Sequence, residues 1–123
     1  MVENGGGSAT TLAVRVVEHR DGVRGLVVTG ELDAAEAADV EAAAVALLTA
    51  GTAAIVIDLG GVRYFGSRGL TALLRVQRES RAAGVRLHVV TGAENRPVIR
   101  PLTITGLDRE LDLFPTLAAA LAS

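Results

Sequence analysis

The 123-residue sequence predicts one α/β domain: a mostly parallel sheet of about five strands, opened by an antiparallel hairpin and accompanied by about four helices. Three observations carry that prediction. Short Val-, Ile- and Leu-rich runs alternate with longer segments whose apolar residues recur every three or four positions. The stretch "HRDGVRG" contains Asp21-Gly22, a strong hairpin turn. The run "AAIVIDL" at 53–59 is apolar up to Asp58, as expected of a central strand covered on both faces. The length suffices for one sizeable core and not for two.

Residues 1–10 read as a flexible Gly-rich lead and 11–123 as the domain. "LAVRVVE" (12–18) alternates like a half-buried strand, with Leu12, Val14 and Val16 inward. "LVVTG" (26–30) is the returning strand. Asp33, followed three positions later by Glu36, is a capping-box pattern that starts a helix at about Ala34. Its apolar stripe is Ala37, Val40, Ala44, Leu47 and Leu48, and Gly51 ends it. After the central strand, Gly60-Gly61 and "VRYF" read as a loop. Ser67 then caps a second helix that runs to about Ala83 and turns Leu70, Leu73, Leu74 and Val76 to the core. "VRLHVV" (85–90) is another strand, in which His88 alternates outward with Arg86. A short helix begins near Pro97, and Pro101 is expected to kink or restart it. "ELDLF" (110–114) reads as a short edge strand, and Pro115 and Thr116 open a closing helix.

Composition narrows the chemistry. The chain has no cysteine, which removes disulfides, thiolate metal sites and a Cys nucleophile. Two histidines, His19 and His88, are too few for a His-based metal cluster. The net charge is −2 and all twelve basic residues are arginine, so the one-sided basic excess of a duplex-binding protein is missing. Neither a signal peptide nor a run of ~20 apolar residues is present, which gives the expectation of a cytoplasmic protein without membrane attachment.

Ligands and partners of such a sheet meet the loops at the carboxyl ends of its strands. Two turns fall there: "GELD" (30–33) and "FGSRGL" (65–70). Adjacent parallel strands would set Asp33 and Ser67 side by side. The residues leave three roles for Ser67: helix cap, catalytic nucleophile, or phosphorylation site. The nucleophile reading is the weakest, because a Gly-x-Ser-x-Gly elbow would need glycine where Phe65 stands, and the base would have to be His88. A phosphate at a helix N-terminus would be stabilised by free N–H groups and the helix dipole. Asp33 reads as a helix cap, and Asp58 as the residue that pins the Gly-Gly turn. Arg63, Arg68, Arg75 and Arg78 form a positive stripe beside the turn.

The chain resembles the STAS domain family in its stand-alone form, the anti-sigma factor antagonists. The resemblance runs from about Leu12 to Leu121 and rests on "VVTGELD" (27–33), "IVIDLGGVRYFGSRGLTALL" (55–74), "GVRLHVV" (84–90) and "LTITGLDRELDLFPTLAAAL" (102–121). It implies a non-catalytic binding protein, without cofactor or metal, that captures an anti-sigma factor. That partner is an ATP-dependent serine kinase, which releases the antagonist by phosphorylating it, and a phosphatase restores the binding form. The acceptor position falls on Ser67 and the acidic residue of the preceding turn on Asp33. Gly66, Arg68 and Gly69 complete the implied partner-binding turn. The usual turn of the family reads Asp-Ser-Ser-Gly-Leu, whereas here Gly66 and Arg68 replace its Asp and second Ser. Nucleic acid is not contacted directly, and a monomer or weak dimer is implied. The alternative is a constitutive STAS scaffold, or a module sensing a small ligand or nucleotide, in which Ser67 only caps a helix.

Overall fold

In a computed structural model, which describes residues 12–123, the elements follow the order β1 (Leu12–Arg20), β2 (Val23–Leu32), α1 (Ala34–Ala46), β3 (Ala54–Phe65), α2 (Ser67–Ala82), β4 (Arg86–Val90), α3 (Arg96–Ile104), β5 (Asp112–Phe114) and α4 (Leu117–Ala122). The expected Gly-rich lead lies outside the described residues. The five strands form one sheet in sequential order. Only the β1–β2 hairpin is antiparallel, and β2 through β5 pair in parallel.

The two faces of the sheet are covered unequally. Leu26, Val28, Leu32, Ile55, Ile57, Leu59, Leu87 and Val89 face α1, α2 and α3, and interlock with Val40, Leu73, Val76, Val98 and Leu102 in the main core. The opposite face carries a smaller cluster, Val23, Ala54, Val56 and Val90, closed by Ala120 of α4. Period-two alternation along β3 separates the two sets, which is why this strand reads as uninterruptedly apolar.

Four expectations are corrected. Strand β3 does not stop at Asp58: Gly60, Gly61 and the "VRYF" segment stay in the strand, because Thr29–Leu32 of β2 pair with them as far as Leu32↔Phe65. Gly61 permits this, since a Cβ there would lie 2.7 Å from the Thr29 methyl. Val16 shares a face of β1 with Val14, which packs against the main core, but is not buried as expected: it is 51 % exposed on this edge strand. His88 is not outward in the sense of exposed: it is 4 % exposed beneath α4, with Nδ1 3.2 Å from the Ala120 carbonyl oxygen and its ring 5.0 Å from that of Phe114. Pro101 does not interrupt α3, which continues to Ile104 and ends as Pro101 O accepts both the N–H and the Oγ1–H of Thr105. The sequence also gave no sign of the 3₁₀ turn at Leu107–Arg109.

Candidate functional site

The parallel pairing of β2 with β3 brings the two predicted turns together. The N–H of Gly66 donates to Leu32 O at 3.1 Å, joining the turn before α2 to the turn before α1. Asp33 is the N-cap residue of α1, as expected, but its side chain accepts no capping hydrogen bond. Its carboxylate lies over Gly66 instead: a Cβ on Gly66 would sit 2.6 Å from Asp33 Oδ1 and 3.2 Å from the Tyr64 ring. The Asp33 carboxylate thus occupies the space that a side chain at position 66 would need. The chain turns sharply here, and Ala34 takes φ +46°, a left-handed conformation uncommon for any residue but glycine.

The second turn differs from the capping expectation by one position. Gly66, in extended conformation, is the N-cap of α2, and Ser67 is the first helical residue. Ser67 is exposed. Its carbonyl accepts the Thr71 hydroxyl at 3.1 Å, while its own hydroxyl has no hydrogen-bond partner among the described residues. The first turn of α2 contains no acidic residue, and the N–H groups of Ser67 and Arg68 have no carbonyl partner. Two unpaired donors at a helix start, with the positive end of a 16-residue helix, form a setting that favours added negative charge next to the hydroxyl.

The remaining predicted site residues divide into two groups. Gly66 and Gly69 are buried, so they shape the turn from within. A Cβ on Gly69 would lie 2.8 Å from the Phe65 ring and 3.2 Å from Leu32 Cγ, so glycine is what lets α2 approach the sheet this closely. Arg68 is exposed and, with Arg75 and Glu41, rims a groove of about 350 Å³ between α1 and α2 whose floor is Ala34, Ala37, Ala38 and Ala72. Arg75 Nη1 stands 3.6 Å from Glu41 Oε1, a solvent-exposed pair that contributes little to stability. Arg63, Arg68 and Arg78 have no ion pair among the described residues. Asp58 does pin the glycine pair, accepting from the Gly60 N–H at 2.9 Å.

One patch beside the turn escaped the sequence reading. Tyr64 is 51 % exposed, and next to it α3 presents Arg96, Arg100 and the 72 % exposed Ile104 at four-residue intervals. A cleft of about 320 Å³ lies between Tyr64, Phe65, Arg96 and Arg100. The signal was the i, i+4, i+8 spacing of Arg96, Arg100 and Ile104, offset from the buried pair Val98 and Leu102. No group of His, Asp and Glu among the described residues could hold a metal ion, and no described helix is long and apolar enough to cross a membrane.

A sequential β-α sheet with one opening hairpin, carrying an exposed serine at a helix start beside an acidic turn, defines a class of small α/β domain. A family model described as "Mlab, STAS domain" matches residues 16–117, and the chain belongs to the STAS domain family. It is 36 % identical over 111 residues to the anti-sigma-F factor antagonist RsfB of Mycobacterium tuberculosis, covering 90 % of this chain and 88 % of that protein. Among solved structures, an anti-sigma factor antagonist from Mycobacterium paratuberculosis superimposes with a TM-score of 0.77 at 33 % identity, covering 91 % of this chain and 92 % of that one. An anti-sigma factor antagonist domain protein from Planctomyces limnophilus shares the fold at 21 % identity, with a TM-score of 0.74 over 89 % of this chain and 95 % of that one.

Proposed function

We propose that this protein is an anti-sigma factor antagonist that binds a serine-kinase anti-sigma factor through the Ser67 end of the sheet, and that phosphorylation of Ser67 ends the capture. The observation that carries the reading is the exposed, unbonded hydroxyl of Ser67 at the start of α2, with the Asp33 carboxylate folded over the neighbouring Gly66. The 36 % identity with a named anti-sigma-F factor antagonist supports it. Asp33, Ser67 and Arg68, with Tyr64 and the exposed side of α3, form the docking face, while Gly66 and Gly69 hold its shape. A phosphate on Ser67 adds about −1.5 to −2 charges at the centre of this face. Its fit to the helix start leaves the fold intact, and like charge forced against a partner costs several kcal/mol.

The test is calorimetric titration of the anti-sigma factor from the same genome with wild-type protein, Ser67→Ala and Ser67→Asp. Ser67→Ala is expected to bind and Ser67→Asp to lose more than a hundredfold, about 3 kcal/mol. Mass spectrometry after incubation with that kinase, ATP and Mg²⁺ is expected to place phosphate on the Ser67 peptide. Unchanged binding by Ser67→Asp would defeat the proposal. Arg68, directly after the acceptor, supports one second reading, a constitutive binder whose Ser67 is never modified; it predicts that the peptide stays unphosphorylated.

A further inference from the structure

At the other end of β3 from Ser67 lies a basic cavity, about 460 Å³ in volume, and nothing in the reading above uses it. Two arginines, Arg20 and Arg86, line it together with the His88 imidazole and Ser123, the last residue of the sequence, and no Asp or Glu side chain joins them, although the sequence as a whole is acidic with a net charge of −2. The sheet register explains the grouping. Arg86 and His88 are two residues apart on β4 and share a face, and their partners on β3, Ala54 and Val56, lie beneath them on the same face. Small side chains at Ala54 and Ala120 leave the volume open and make its wall apolar.

The basic groups are not spent on one another or on acids. Arg20 donates through Nη1 to Leu121 O at 3.0 Å, and His88 Nδ1 donates to Ala120 O, so both also secure the end of α4. The Arg86 guanidinium has no hydrogen bond or ion pair among the described residues, and Nε2 of His88 has no partner there either. Guanidinium groups bind planar or tetrahedral oxyanions through paired N–H donors, and a wall of aliphatic side chains favours an apolar body on the same ligand.

We infer that this cavity is a second binding site, for a small organic oxyanion: a phosphate or carboxylate head held by Arg86 and Arg20, with a compact apolar body against Val56 and Ala120. The site is separate from the docking face, so its test does not involve Ser67.

The experiment is NMR titration of the ¹⁵N-labelled full chain at constant ionic strength, with phenyl phosphate, benzoate, inorganic phosphate and sodium chloride as probes. Saturable shifts are expected at the amides of Gly84 to His88 and Ala120, with a dissociation constant of ~1 mM for at least one of the two organic anions. The comparison of phenyl phosphate with benzoate assigns the head group. Inorganic phosphate is expected to bind at least tenfold more weakly, and Arg86→Ala to weaken the organic anion at least tenfold. A second variant, Ala53→Glu, places a carboxylate at the exposed rim and is expected to suppress binding with the fold unchanged by circular dichroism. Absence of saturation, equal affinity in Arg86→Ala, inorganic phosphate binding as tightly as the organic anions, or equal shifts at Arg68 and Arg100 would each overturn the inference.

Discussion

Replacing Gly69 with alanine tests the packing role that the structure gives this residue. Gly69 lies in the first turn of α2, where helix propensity alone favours alanine by about 1 kcal/mol. The structure argues the other way. The new Cβ would meet the Phe65 ring at 2.8 and 2.9 Å and Leu32 Cγ at 3.2 Å, whereas carbon atoms in ordinary contact stand at ~3.5–4.0 Å. The ring must therefore retreat by more than half an ångström, yet Phe65 and Leu32 are both buried in the main core, where such a shift disturbs their other packing contacts. Overpacking of this kind costs about 1–3 kcal/mol. Set against the propensity gain, the net expectation is a loss of about 1 kcal/mol, read as a lower urea midpoint at unchanged m-value. Combining Gly69→Ala with Phe65→Leu is expected to recover most of the loss, since residues in contact couple by about 0.5–3 kcal/mol. A rise in the midpoint for Gly69→Ala alone would refute the packing argument.

Five further substitutions probe the same framework by chemical denaturation. Asp33→Ala is expected to cost less than about 0.5 kcal/mol, because the Asp33 side chain makes no cap bond, whereas Thr116→Ala removes the bond from Ala119 N–H to Thr116 Oγ1 and should cost about 1 kcal/mol. Ser80→Ala is expected to be neutral or stabilising by up to about 1 kcal/mol, since the Ser80 hydroxyl is fully buried with no hydrogen-bond partner. Ala34→Gly should be close to neutral, the relief of a φ of +46° offsetting glycine's entropic cost, while Ala38→Gly in the same helix should cost about 1 kcal/mol.

Much of the fold was legible because local patterns and tertiary demands agree. Asp21-Gly22 sits at the hairpin, with Gly22 at φ +77°, and the helices begin at or within a residue of the expected positions. The stripe Ala37, Val40, Ala44 and Leu47 is buried as its spacing required. The pairing of the Asp33 and Ser67 turns followed from a single inference, that successive parallel strands lie side by side.

Other features depended on which surface finds which partner. Gly60-Gly61 has the composition of a turn, yet the strand continues through it with only a shift of register, because Thr29 to Leu32 of β2 pair with the residues from Gly61 onward, and that pairing outweighs local preference. Alternation along β4 put His88 on the face opposite Leu87 and Val89; only the packing of α4 determined that this face is covered and that the imidazole is buried. Spacing placed a carboxylate at the mouth of α1, but its position over Gly66 follows from the approach of a second turn distant in sequence. The sequence by itself determined the elements, their order and the end of the sheet where the site forms, because these follow from periodicity and chain direction. Tertiary structure alone decided how far the strands extend, which polar groups are buried and which basic groups converge, because these depend on contacts between segments whose separation in sequence says nothing of their separation in space.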